Sequence, residues 1–417
     1  MREMKNSGIG WVQNIPENWK VVKGKYVFKN EKQIVGVDVD KYERLALTMN
    51  GVVRRSKEDS EGLQPDKFNT YQILRKNELV FKLIDLQNIS TSRVGLSSYT
   101  GIVSPAYIIL KPTVKIYLAY AEKYYLMMWM NEVFNALGDS GVRSSLNSNE
   151  LLNILLPLPP FEEQKQIADF LDKKCEEIDI LIFKIQKEIE LLQDYKKSII
   201  TKSVTKGLNK NVKLKNSGIE WAKQIPEHWN IKKGKYFLNY IVRPIKESDD
   251  VITCFRDGEV TLRKNRREDG FTMADKEIGY QGINKGDLIV HGMDGFAGAI
   301  GISDSRGKAS PVLNVLDTKE NKRYIMYYLR SLAFNNVFTA LSTGIRVRSC
   351  DLRWNKLAEL LYILPPIEEQ NKIVEYLENK IKEIDSIIED KNKQLDTLEE
   401  YKKSIIYEYV TGKKEVK

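Results

Sequence analysis

Arginine, lysine, asparagine and glutamine can read base edges, while serine, threonine and lysine mostly position phosphates. This chain gathers such residues in short clusters between β-prone runs. One cluster is Arg54-Arg55-Ser56-Lys57, just after Asn50-Gly51. Another is Gln87-Asn88-Ile89-Ser90-Thr91-Ser92-Arg93, and Arg143 follows Gly141-Val142. The second half of the chain carries Arg263-Lys264-Asn265-Arg266-Arg267, Arg306-Gly307-Lys308, and Arg346 with Arg348. A single cluster of this kind is more often a solvated loop. Their recurrence in two basic regions points to a polyanionic partner, DNA first.

Catalytic chemistry is sparse by comparison. The two histidines, His228 and His291, lie in non-matching places. Cys175, Cys254 and Cys350 are far apart and read as reduced thiols, and no His/Cys cluster has metal spacing. The run from Gly295 to Gly301 lacks the strand–turn–helix context and the lysine of a nucleotide loop, so it reads as a turn. Leu158-Pro159-Pro160-Phe161 is similar to the Asn-Pro-Pro-Phe signature of adenine methyltransferases. Leu158 cannot make the hydrogen bond that the asparagine makes there, so the stretch is not catalytic.

The elements that must position the clusters are themselves duplicated, which is the first thing to establish in any chain. Pro159-Pro160-Phe161-Glu162-Glu163-Gln164 recurs as Pro365-Pro366-Ile367-Glu368-Glu369-Gln370. The helix-forming stretches that follow stay in register, at an offset of 206 residues, to Lys196-Lys197-Ser198-Ile199-Ile200 and Lys402-Lys403-Ser404-Ile405-Ile406. In the first copy Leu171, Ile178, Ile182, Ile185, Ile189 and Leu192 form a 3-4 heptad seam. In the second the seam is Leu377, Ile381, Ile384, Ile388, Leu395 and Leu398, with Lys391 its one clear break. The Glu-Glu after each diproline suits a helix N-terminus, and Gly207 and Gly412 sit where the helices should end. Forty residues at about 1.5 Å each make about 60 Å of helix. The economical partner for each stripe is the other copy. The pattern leaves parallel and antiparallel open, and the intervening domain favours antiparallel.

The openings of the two halves also repeat. Lys5-Asn6-Ser7-Gly8-Ile9-Gly10-Trp11 returns as Lys215-Asn216-Ser217-Gly218-Ile219-Glu220-Trp221, and Ile15-Pro16-Glu17-Asn18-Trp19 as Ile225-Pro226-Glu227-His228-Trp229. Residues 30–115 and 240–318 share a layout of short strands but almost no identity. A helix follows in each half, about Tyr117 to Leu137 and Lys322 to Leu341, with a tyrosine-rich face that reads as core. The sequence predicts an α+β chain in four parts: a domain over 1–158, a helix over 159–208, a domain over 209–364 and a helix over 365–417. The frame repeats and the interior does not, which suggests one scaffold carrying two different recognition surfaces. Charge is partitioned the same way. The net charge is +9, yet 161–208 and 367–417 together carry −4, leaving +13 on the remainder. No run approaches the apolar length of a membrane span, and no signal-peptide pattern opens the chain, so a cytoplasmic protein is expected.

These residues resemble the specificity subunit of type I restriction–modification enzymes. The resemblance rests on the Ser-Gly-x-x-Trp and Ile-Pro-x-x-Trp openings, the Leu158–Gln164 and Leu364–Gln370 junctions, and the duplicated helix, and it covers the full length. It implies two target recognition domains, each reading half of a split, asymmetric site in double-stranded DNA. It implies two helices paired as an antiparallel coiled coil with pseudo-two-fold symmetry, whose length sets the gap between half-sites. The subunit itself would be non-catalytic and hold no cofactor. It would bind two modification methyltransferase subunits that use S-adenosylmethionine, and restriction subunits that use ATP and Mg. The competing expectation is a coiled-coil adaptor whose basic domains do not read DNA sequence.

Overall fold

The computed structural model describes residues 2–49, 51–59, 67–86, 93–138, 145–266, 278–340 and 352–416. The chain forms two units, Met1–Ile185 with Asn392–Lys417, and Gln186–Lys391. The first long helix, Phe161–Lys206, contributes its start to the first unit and its end to the second. The other, Ile367–Val410, does the reverse.

Inside the first unit, Leu79-Val80-Phe81 is apolar on both faces because both faces are covered. It lies in a four-stranded antiparallel sheet ordered Phe28–Lys29, Ile108–Pro112, Leu79–Phe81, Val94–Leu96. The second unit repeats this sheet with Leu238–Tyr240, Leu313–Thr318, Leu288–His291 and Ile300–Ile302 in the same order. The units differ in what stands beside it. The first has another four-stranded sheet, ordered Gly51–Arg55, Arg44–Thr48, Gly101–Val103, Gln72–Leu74. The second has two separate pairs, Ile252–Cys254 with Val260–Leu262, and Gln281–Ile283 with Gly307–Ala309.

The helix expected over Tyr117 to Leu137 is two, Leu118–Met130 and Val133–Leu137. Its counterpart divides likewise into Lys322–Phe334 and Val337–Ala340. The cause is the same in both. Asn131 and Asn335 turn their side-chain amides back onto the carbonyls of Met127 and Ser331, at 2.8 and 2.7 Å. The next residues, Glu132 and Asn336, adopt φ of 56°. A side chain bonding its own backbone competes with helix continuation, and a left-handed residue ends it. The tyrosine face is core as expected, with Tyr120, Tyr124, Tyr324 and Tyr328 fully buried.

Packing within each unit makes the helix pairing antiparallel. In the first unit Ile167, Ala168, Leu171, Cys175 and Ile178, near the start of one helix, share a core with Ile405, Ile406 and Val410, at the end of the other. In the second, Ile373, Val374, Leu377 and Ile384 share a core with Ile199, Ile200 and Val204. The lysines on the seam are paired across it. Lys402 meets Asp179 at 2.5 Å, Lys196 meets Asp385 at 2.6 Å, and Lys391 pairs with Glu188.

The repeated framework is the joint that fixes these helices. The Glu163 carboxylate accepts from the Trp19 indole N–H at 3.1 Å, and Glu369 accepts from that of Trp229 at 3.0 Å. Gln164 accepts from the Tyr117 backbone N–H at 2.9 Å and donates to the Pro159 carbonyl at 2.8 Å. Gln370 does the same with Asn321 and Pro365. The Tyr120 hydroxyl lies between the carbonyls of Pro157 and Val410, and that of Tyr324 between Ile363 and Val204. Each buried polar group in the joint thus has a partner, which burial requires. The helix dipole explains only part of the Glu-Glu-Gln motif, because its second glutamate and its glutamine lock the helix start to the globular part.

Candidate nucleic-acid interface

Each unit carries a basic cleft beside its repeated sheet, and in the second unit the ends of that sheet, His291 and Leu313, join the lining. In the first, the hairpin Arg44–Thr48 with Gly51–Arg55 places Arg44 opposite Arg55 and Leu45 opposite Arg54. A cleft of about 580 Å³ is lined there by Lys41, Arg44, Arg54, Arg55 and Lys57, with Asp40, Glu43 and Glu58 among them. Arg54 is exposed, held by Glu43 at 3.0 Å and seated 4.6 Å over the Tyr99 ring. Arg55 pairs with Asp59 at 2.6 Å, and Lys57 donates to the Val39 carbonyl at 2.8 Å. Surface pairs like these add little to stability. They do hold guanidinium planes in place ahead of any ligand. The expected Arg54, Arg55 and Lys57 therefore come together. Lys41 and Arg44 join them unforeseen, although counting back from the Asn50-Gly51 turn puts Arg44 opposite Arg55.

In the second unit a cleft of about 660 Å³ is lined by Thr253, Arg256, Asp257, Arg263, Arg266, His291 and Asp294, among others. Arg266 bridges Asp257 at 2.6 Å and Glu259 at 3.1 Å and lies 4.3 Å over the Phe255 ring. The hydrogen bond to Asp257 holds its pKa above the ordinary arginine value. Arg256 bonds Asp294 at 2.9 Å, and the Arg263 Nε–H donates to the Thr253 hydroxyl at 3.3 Å. Lys264 pairs with Asp250 at 2.5 Å, and Asn265 donates to the Thr261 hydroxyl at 2.9 Å. Arg263 and Arg266 were expected here, whereas Arg256 and His291 were not.

Other expected contacts take different places. Arg306 is a brace. Its Nε and Nη2 donate to Asp249 at 2.9 and 2.7 Å, and its Nη1 donates to Asn284 at 2.7 Å. Lys308 is half-buried on the strand Gly307–Ala309, with its backbone N–H on the Asp250 carbonyl. Arg93 is fully buried and donates to the Asp85 carbonyl at 2.7 Å, so its guanidinium faces inward rather than outward. Burial, opposed by Asp85, holds its pKa below the ordinary arginine value.

Gln87, Asn88, Ser92, Arg143, Arg267, Arg346 and Arg348 lie outside the described residues. So does Cys350, while Cys175 and Cys254 are buried free thiols. The residues flanking two of these segments meet: Ile84 bridges Ser145, and the Leu146 N–H bonds the Leu83 carbonyl at 2.9 Å. In the second unit the Leu352 N–H bonds the Gly292 carbonyl at 2.8 Å.

A third cleft, of about 1040 Å³, runs along the end of the first long helix beside the framework of the second unit. Its lining includes Lys197, Thr201, Lys202, Trp221, Lys223 and Gln224. Among the described residues no His, Cys, Asp and Glu cluster could hold a metal ion, and no helix is long and apolar enough to cross a membrane.

Residues 16–191 match the type I restriction modification DNA specificity domain. The type I restriction enzyme MjaVIII specificity subunit of Methanocaldococcus jannaschii is 27% identical over 432 residues, covering 97% of this chain and 94% of that one. The fold is shared with a chain solved in work on complex assembly and conformational transition of the type I restriction–modification system. That likeness has a TM-score of 0.68 at 14% identity, covering 95% of this chain and 99% of that one. It is also shared with the HsdS subunit from Thermoanaerobacter tengcongensis, at a TM-score of 0.50 and 13% identity over 97% and 99% of the two chains.

Proposed function

We propose that the chain is a specificity subunit of a type I restriction–modification enzyme and that its two basic clefts each read one half of a split DNA site. It is the DNA-recognition component of such a complex and not its catalyst. DNA, methyltransferase subunits and restriction subunits are its partners. The finer reading assigns residues 1–158 and 209–364 as the two target recognition domains, joined by the helices within 159–208 and 365–417. It gives two methyltransferase subunits to one chain, one for each copy of the framework.

The observation that carries this reading is the contrast inside each unit. The indole, glutamine and tyrosine bonds of the joint repeat, from Trp19 and Glu163 to Trp229 and Glu369, even though Glu163 also holds Arg2 where Glu369 holds His228. The arginine-lined clefts do not repeat. A duplicated frame suits two copies of one partner, and two unlike clefts suit an asymmetric site. Arginine donors held at fixed angles by carboxylates can address base edges, and the surrounding lysines can address phosphates.

The test is to co-express this chain with a candidate adenine methyltransferase subunit, weigh the complex, and map adenine methylation on the host DNA. The expected result is a 2:1 complex and a bipartite methylated motif. Arg266→Ala with Arg267→Ala should weaken binding to the cognate site by about tenfold or more. A complex that methylates without a motif, or unchanged cognate binding by that variant, would count against the clefts as readers.

A further inference from the structure

His291 closes the central strand Leu288–His291 of the second unit and stands on the wall of its cleft. Its Nδ1 accepts two backbone hydrogen bonds, from the N–H of Met293 at 3.2 Å and of Asp294 at 3.0 Å. A nitrogen that accepts cannot carry the proton, so in the neutral ring the proton is on Nε2. Protonating Nδ1 as well would set an N–H against two N–H groups. The side chain keeps 19% of its surface exposed, and Nε2 is 4.0 Å from the Asp294 carboxylate, outside hydrogen-bond reach. Arg256 holds that carboxylate through its other oxygen, Oδ1. Arg263, Arg266 and Asp257 line the same cleft, and Cys254 lies buried beneath it.

The geometry points to His291 as a specificity-determining residue, whose Nε2–H donates to an acceptor atom on a base edge in the half-site read by the second unit. The inference rests on the reading of this cleft as a DNA interface and names one donor within it. Base edges in the major groove offer such acceptors as guanine N7 and O6, adenine N7 and thymine O4. A neutral donor with one fixed direction favours a base that presents an acceptor at that point and rejects the amino group of adenine or cytosine there, adding to what the held arginines around it read. Burial, joined by Arg256 and opposed by Asp294, holds the histidine pKa below its ordinary value, which keeps the ring neutral. The corresponding strand of the first unit, Leu79–Phe81, is followed by Lys82, again with Asp85 three residues on. Both units thus place a donor-bearing side chain at the same point of the repeated sheet. The donors differ, as two unlike half-sites require.

Two substitutions separate reading from turn-holding. In His291→Asn the side-chain oxygen takes the bonding position of Nδ1 and can still accept from Met293 and Asp294, but the outer donor is gone. In His291→Gln a neutral N–H is kept at about the reach of Nε2. The measurement is binding of the purified complex with its methyltransferase subunits to the mapped motif, and to variants with each base changed. For His291→Asn we expect about tenfold weaker binding to the motif and lost discrimination at one position of one half-site. The other half-site should be unchanged, and His291→Gln should stay within about threefold of wild type. From about pH 8 to pH 6, wild type and His291→Gln should show the same pH dependence. Wild-type behaviour from His291→Asn would make His291 a turn-holding residue and overturn the proposal. So would equal weakening across all sequences, which marks a phosphate contact, or a wild-type gain at low pH absent from His291→Gln, which marks a charged ring. A wild-type complex with no sequence preference would overturn the specificity reading itself, and this assignment with it.

Discussion

Arginines that look alike in the sequence do different work here. Arg266 is held by Asp257 and Glu259, seven to nine residues away, and stays at a cleft. Arg306 turns inward to Asp249, 57 residues away, whose side chain is only 3% exposed. Local sequence contains the first partner and not the second, so the expected clusters were legible while the sorting of their members was not. Arg44 and His291 went unseen for a related reason. Their placement depends on strand register and on the end of a strand, and a lone residue carries neither signal. The Arg306 hydrogen bonds hold the Asp249 carboxyl down to about 2, from its ordinary 3.8. A depressed acid stabilises the fold fully above its ordinary pKa and loses that contribution as pH falls through the depressed value. Unfolding followed by tryptophan fluorescence should therefore show wild type losing stability between about pH 4 and pH 2. Asp249→Asn should show a flatter limb across that range. Arg306→Ala leaves the Asp249 carboxylate with only the Lys246 N–H and should cost about 1–3 kcal/mol at neutral pH, read from urea titration.

At the level of elements, the long helices were the most legible part of the chain. The 3-4 seam, the diproline starts and the glycine ends all announce them, and the helices run Phe161–Lys206 and Ile367–Val410. The stripe alone left their direction open, because a heptad is the same read either way, and only the intervening domain favoured the antiparallel pairing. It is set by cores that join the start of one helix to the end of the other, and by Lys402–Asp179 and Lys196–Asp385. The kink after Met130 was missed because Asn131 and Glu132 are ordinary helix-surface residues by type. Gly412 offers a test of how tightly the helix end is held. Its φ is +71°, and an added Cβ would meet Pro16 and the Trp19 ring. Gly412→Ala should destabilise the first unit by about 1–3 kcal/mol in denaturant titration, from strain and overpacking together. A loss under about 0.5 kcal/mol would show that the helix end frays rather than docks.

If the paired helices set the gap between half-sites, inserting one heptad into each at matched positions adds about 10 Å. At 3.4 Å per base-pair step the non-specific gap should grow by about three base pairs, seen directly by methylation mapping. An unchanged gap would sink the idea that helix length measures the site. The duplication itself was plain in the sequence because framework residues meet each other. The interiors were not, because residues 30–115 and 240–318 share almost no identity, so neither half reports on the strands of the other.

The composition of the two units also has a consequence for biosynthesis. The second unit, Gln186–Lys391, is one continuous stretch, whereas the first needs Asn392–Lys417 to complete its core. On the ribosome the part made earlier must wait for the part made last. At about 5–20 residues per second, the interval between Ile185 and Asn392 is on the order of ten to forty seconds. Throughout it the apolar faces of Ile167, Leu171 and Ile178 lack the helix end that covers them in the finished protein. The N-terminal unit is therefore the later of the two to close, and a transcript cut short near its end produces a chain with one finished unit and one open one.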